Sequence, residues 1–146
     1  MTLFNFIKII THRLVLIALL YACVVFSAFA EVENISNQKL RFLISDGVPI
    51  VDIREEFEWK DTGVVPESHL ITFFDSEGRY DLKKWLDKLE EITNKDEPLI
   101  IICRSGRRSL ILANYLSKHE KFLKVYNVTQ GIKGWKNANL RTNSVK

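Results

Sequence analysis

From Glu31 onward, short apolar runs alternate with stretches whose apolar residues recur at helical spacing. Val32–Ile35, Pro49–Ile53, Ser68–Phe73, Leu99–Ile102 and Lys124–Val128 read as strands. Leu99–Ile102 is four consecutive bulky aliphatics, the pattern of a strand buried on both faces. Between the runs lie predicted helices. Ser36 has the chemistry of an N-cap, followed by an apolar face of Leu40, Phe42, Leu43 and Ile44 that stops at Asp46-Gly47. Arg54–Lys60 forms a short helix ahead of Asp61-Thr62-Gly63. Asp75–Arg79 is a polar loop, after which Asp81 opens a helix with Leu82, Trp85, Leu86, Leu89 and Ile92 on one face. A helix from about Ser109 carries Leu110, Ile111, Ala113, Tyr115 and Leu116, and Gly131–Asn137 is a short final one. Strands alternating with helices predict an α/β fold, a mainly parallel sheet with helices on both faces. In such a sheet, sites form beyond the carboxyl ends of the strands.

Residues 1–30 follow a different pattern. They contain no acidic residue, and Lys8 and Arg13 precede an apolar run from Leu14 to Ala30 broken only by Ser27. The run ends in Ala28-Phe29-Ala30, a small-x-small sequence before Glu31. This is the layout of a cleaved export signal, with residues 31–146 as a single following domain. It places the protein in the periplasm or outside the cell. An uncleaved membrane anchor facing the exported side is the alternative reading, and only that reading brings a membrane contact. Lipidation at Cys23 is disfavoured by Tyr21 and by the apolar run that continues past the cysteine.

The whole chain carries 21 Lys and Arg against 18 Asp and Glu. Loss of Lys8 and Arg13 with the leader brings the net charge close to neutral. No long basic run or arginine-aromatic ladder is present, so nucleic acid is excluded as a partner class. If Cys23 leaves with the leader, Cys103 is the one remaining cysteine. A disulfide within the chain, a Cys-x-x-Cys redox pair and a cysteine zinc set are then excluded. A free thiol in an exported protein is a liability unless chemistry uses it.

Cys103 stands at the end of the Leu99–Ile102 strand and opens the segment Cys103-Arg104-Ser105-Gly106-Arg107-Arg108-Ser109. A thiol between a strand's carboxyl end and a helix's amino end meets unpaired N–H groups and the positive end of the helix dipole. Three arginines add positive charge. These features favour thiolate, the nucleophilic form, and the same cradle suits an anionic substrate. A buried structural cysteine would not need such a loop.

Three segments together are similar to the rhodanese family of sulfurtransferases. Val51-Asp52-Ile53-Arg54-Glu55 resembles the family's V-D-x-R-E segment, Cys103–Ser109 its active-site loop, and Gln130-Gly131-Ile132-Lys133-Gly134-Trp135 its closing G-G-x-x-x-W element with one glycine replaced. The segments occur in family order and span most of residues 31–146. Where many members have G-H-I-P-G-A, this chain has Gly63-Val64-Val65-Pro66-Glu67-Ser68, so the histidine and the second glycine are missing. His69 is not at the family's histidine position and takes no role. Asp52 and Arg54 are read as an ion pair that organises nearby loops, and Trp135 as a brace for the site from outside.

The resemblance implies one rhodanese domain that passes sulfane sulfur through a Cys103 persulfide. The donor is a small sulfur-containing anion such as thiosulfate. The acceptor is cyanide in assay, or a thiol, a thioredoxin-like protein among them. Arg104 and Arg107 are assigned to the donor anion, and Arg108 either joins them or pairs with a carboxylate. Ser105 and Ser109 donate hydrogen bonds or cap the helix, and Gly106 gives the backbone its freedom. No metal, nucleotide or organic cofactor is required. Two other readings are a protein-binding or sulfur-carrying module without efficient turnover, and a dual-specificity-type phosphatase. The phosphatases that share this fold use Cys-x5-Arg. Here that position is Ser109, and Arg108 gives a loop one residue shorter, which suits a sulfur atom better than a phosphoryl group.

Overall fold

The computed structural model describes residues 31–146; the leader predicted at residues 1–30 lies outside the described residues. Five strands alternate with five helices: β1 (Glu31–Ile35), α1 (Asn37–Ser45), β2 (Ile50–Asp52), α2 (Glu56–Thr62), β3 (Ser68–Leu70), α3 (Leu82–Leu89), β4 (Leu99–Ile102), α4 (Arg107–Lys118), β5 (Lys124–Val128) and α5 (Gly131–Asn137). The strands form one sheet in the order β1-β5-β4-β2-β3, and every pairing between them is parallel. The α/β class and the parallel sheet match the reading from the sequence.

Side chains alternate across the sheet and divide the core in two. On one face Leu99, Ile101 and Cys103 join Val51, Ile53 and Val125 under Trp85 and Leu89 of α3 and Leu112, Ala113 and Leu116 of α4. On the other, Ile100 and Ile102 join Ile50, Tyr126 and Val128 under Leu40 and Leu43 of α1 and Ile132 and Trp135 of α5. β4, central and aliphatic, is buried along its length. It delivers Cys103 to the carboxyl edge of the sheet.

Several boundaries differ from the periodicity. β3 stops at Leu70, although pairing continues irregularly through Ile71 N–H to the Asp52 carbonyl (3.1 Å) and Phe73 N–H to that of Ile53 (3.2 Å). α2 starts at Glu56 rather than Arg54, because the Arg54 N–H and side chain are both taken by Asp52. α4 starts at Arg107, two residues before Ser109, and its N-cap is Gly106. Neither Ser105 nor Ser109 caps it. Phe42, Ile111 and Tyr115, placed on apolar helical faces by spacing, are exposed, while on α4 Leu112 joins the predicted Ala113 and Leu116 in the core.

The segment that lacks the second family glycine keeps a left-handed turn. Glu67 adopts φ 68°, a conformation costly to a residue with a Cβ.

Candidate active site

Cys103 is the free cysteine of the described residues and shows no solvent exposure. Its sulfur meets the amino end of α4. The Ser109 N–H points to Sγ at 3.4 Å, and Ser109 Oγ lies 3.3 Å from it. Ser109 is the third residue of α4, so its N–H is one of the donors that a helix leaves without an internal partner. The thiol sulfur therefore occupies a position where negative charge is favoured by both an amide hydrogen and the helix dipole.

Two glycines allow the loop to reach this shape. Gly106 has φ 85°, and a Cβ there would collide with the Thr129 carbonyl oxygen. Gly131 has φ 55°, and a Cβ there would collide with the Cys103 carbonyl oxygen. That close approach lets the first turn of α5 hold the loop from behind: Ile132 N–H donates to the Cys103 carbonyl (2.9 Å) and Lys133 N–H to that of Arg104 (3.1 Å). Trp135 does not reach the thiol. It is buried on the opposite sheet face, donating from Nε1 to the Arg141 carbonyl (2.8 Å), and anchors α5 in the core.

The arginines have different positions. Arg104 and Arg107 are exposed, as is Ser105. Arg104 lines a cleft of about 540 Å³ together with Arg54, Phe57, Glu58, Lys133 and Lys136. Arg108 is tied down: its Nη2 donates to both carboxylate oxygens of Glu58, at 2.6 and 2.9 Å. The bond to Glu58 raises the Arg108 pKa against the opposing effect of burial, and the nearby Cys103 sulfur adds to the rise. Burial pushes the Glu58 carboxyl up, but hydrogen bonds from Arg108 and the Glu55 N–H, with the charges of Arg108 and Arg54, hold it below its ordinary value.

Asp52 and Arg54 are both fully buried at the carboxyl end of β2. Arg54 Nε and Nη2 fork onto the Asp52 carboxylate, the shortest contact 2.7 Å. The remaining donors reach the carbonyls of Glu58 and Gly63 and the Thr62 hydroxyl. These contacts tie both ends of α2 to the buried pair, so the pair secures α2 and, through Glu58, the position of Arg108.

Three residues of the site escaped the reading of the sequence. Glu58 had a signal, an acid three residues after Glu55 at a helix start, where its Oε2 accepts the Glu55 N–H at 3.1 Å. Asn127 was visible as an amide between the apolar Tyr126 and Val128 of a strand; it is 2% exposed and accepts the Ser109 hydroxyl at 2.6 Å. Asn34, an exposed residue of edge strand β1, accepts from Asn127 Nδ2 at 2.7 Å and carried no signal of its own.

A parallel α/β sheet with a thiol cradled between the central strand and a helix amino end defines a class of cysteine-loop domains, and the comparisons place the chain within it. Residues 36–138 match the model of the rhodanese-like domain, and the chain belongs to that family. It is 29% identical over 121 residues to the uncharacterized protein RP600 of Rickettsia prowazekii (strain Madrid E), an alignment covering 75% of this chain and 95% of RP600. It is 30% identical over 107 residues to a Bacillus subtilis (strain 168) protein described as "Putative sulfurtransferase YtwF", covering 72% of this chain and 91% of the relative. The crystal structure of a rhodanese-like domain protein from Staphylococcus aureus superposes with a TM-score of 0.56 at 26% identity, over 77% of this chain and 99% of that one.

Proposed function

We propose that the protein is a sulfurtransferase that moves sulfane sulfur from thiosulfate or a similar anionic donor to a thiol or cyanide through a Cys103 persulfide. The observation that carries this reading is the Cys103 sulfur itself, free of any disulfide among the described residues and facing the Ser109 N–H at the amino end of α4. In the first half-reaction the Cys103 thiolate attacks the outer sulfur of thiosulfate. The Cys–S bond to that sulfur forms as its bond to the sulfonate breaks, and sulfite departs with the electron pair. In the second, the acceptor thiolate or cyanide attacks the outer sulfur of the persulfide, and the electron pair of the S–S bond returns to Cys103 Sγ. Charge is conserved in both halves, and no oxidant or reductant is consumed. Exposed Arg104 and Arg107 form the rim from which a dianionic donor is drawn in. A small thiol or a thioredoxin-like protein is the proposed acceptor.

Phosphate chemistry is poorly supported. It needs a guanidinium free to clasp several oxygens, whereas Arg108 is engaged by Glu58 and Ser109 occupies the phosphatase arginine position. The full burial of Cys103 favours a second reading, a rhodanese-fold module that binds or carries sulfur without efficient turnover.

Intact mass of the purified protein after thiosulfate treatment tests the assignment. A gain of one sulfur atom, removed by thiols and absent in Cys103→Ser, is the expected result. Persulfide formation without multiple turnover would select the carrier reading. A folded Cys103→Ser protein with undiminished turnover would overturn Cys103 as the sulfur carrier.

A further inference from the structure

Behind Cys103 runs a chain of polar groups that the sulfur-transfer cycle described above does not use. It passes from Sγ to Ser109 Oγ (3.3 Å), from Oγ to Asn127 Oδ1 (2.6 Å), and from Asn127 Nδ2 to Asn34 Oδ1 (2.7 Å). Cys103, Ser109 and Asn127 are buried, while Asn34 lies at the exposed end. The Ser109 hydroxyl has one hydrogen and two acceptors within reach, the sulfur and the Asn127 carbonyl oxygen. In the orientation present here the amides direct that hydrogen away from sulfur.

We propose that Asn127 is a positioning residue for sulfur transfer, acting on Cys103 only through the Ser109 hydroxyl, and that the chain reverses when negative charge comes onto Sγ. The inference rests on the sulfurtransferase reading. With charge on Sγ, the hydroxyl turns to donate to sulfur. Its oxygen would then face the Asn127 carbonyl oxygen, two acceptors without a hydrogen between them. A half-turn of the Asn127 amide removes the conflict: Nδ2 now donates to Ser109 Oγ, and Oδ1 faces Asn34. The Asn34 amide turns in solvent to donate in its place. In the persulfide the charge sits on the outer sulfur, Sγ is neutral, and the chain relaxes to the orientation observed. The dipoles thus reorient once in each half-reaction, with no proton or electron carried along them. The step that gains is discharge, because Sγ is then the leaving group and receives the electron pair of the S–S bond.

The test uses Ser109→Ala, Asn127→Leu and the double variant, since leucine is neutral, close in size and without hydrogen-bonding groups. Persulfide-loaded full-length protein is mixed with excess cyanide, and thiocyanate release is followed in a single turnover. Loss of one hydrogen bond to a charged atom should slow discharge about tenfold in Ser109→Ala. Asn127→Leu should slow it about threefold, with the KM for thiosulfate unchanged, and the double variant should match Ser109→Ala. Equal slowing by Asn127→Leu in the presence and absence of Ser109 would overturn the proposal, as would wild-type discharge in Asn127→Leu. Alkylation of Cys103 by iodoacetamide at neutral pH provides a readout that does not depend on sulfur transfer. The same rank order is expected there even if the wild-type protein forms no persulfide, which would sink the sulfurtransferase reading alone. Alkylation rates that follow loss of thermal stability instead of that order would reduce Asn127 to a packing role.

Discussion

Arg107 and Arg108 are adjacent in sequence and opposite in circumstance. Arg108 is held by Glu58, whereas Arg107 is exposed on the first turn of α4. Arg107→Ala should therefore weaken use of thiosulfate by about 1.5–3 kcal/mol in kcat/KM, the worth of one hydrogen bond to a charged group, while leaving the thermal transition in place. Steady-state kinetics with thiosulfate and with a neutral sulfur donor check this, and the loss should be smaller for the neutral donor. The Arg108–Glu58 pair contributes to the fold instead. Glu58 has a folded-state pKa below its ordinary 4.5, so its stabilisation is fully present above that value and is lost as pH falls through the lowered one. Glu58→Gln should cost about 1.5 kcal/mol near neutrality, where the charge-assisted bonds are intact. Urea titrations of the two proteins as a function of pH should converge on the acid side of the ordinary carboxylate range.

At the scale of the element, the turn between α2 and β3 contains avoidable strain. Glu67 sits at φ 68° where glycine has no Cβ penalty. Relief of that penalty exceeds the extra chain entropy of glycine, so Glu67→Gly should stabilise the protein by about 0.5–1 kcal/mol, measured by thermal or chemical unfolding. Local elements such as this were the legible part of the sequence. The limits of Leu99–Ile102, Lys124–Val128 and Gly131–Asn137 followed from apolar runs and glycines, and Ser36 caps α1 as its chemistry suggests. Cys103 was legible because strand end, basic loop and helix start are contiguous. Periodicity reports geometry over a few residues, and the remaining groups of the site come from far away. Glu58 and Arg108 are 50 positions apart, and Asn34 and Asn127 are 93 apart. Only the sheet order β1-β5-β4 brings the second pair together. Phe42 and Ile111 show the converse limit, since helical spacing identifies an apolar residue without identifying which face the sheet covers.

For the whole molecule, we propose that export removes residues 1–30 and leaves Glu31 as the amino terminus. The motivation is the acid-free basic start, the apolar run and Ala28-Phe29-Ala30. Amino-terminal sequencing of protein recovered from the exported fraction should begin at Glu31. Recovery from membranes with Met1 retained would establish the anchor instead, and a lipid on Cys23 would establish a lipoprotein.

Among the described residues, β1 pairs with the sheet only through β5, Glu31 aligned with Lys124 and Ile35 with Val128. The first strand of the domain must therefore wait for the last. Residues 31–35 precede their partner strand by most of the domain, so the edge of the sheet closes only once β5 is in place. Closing such a long loop is slow compared with forming local helical contacts. Until it closes, Asn34 is absent from Asn127, and the hydrophobic edge of β5 is uncovered. The exposed end of the polar chain behind the thiol is thus completed only when β1 meets β5. A chain halted earlier holds its reactive cysteine in an unfinished site.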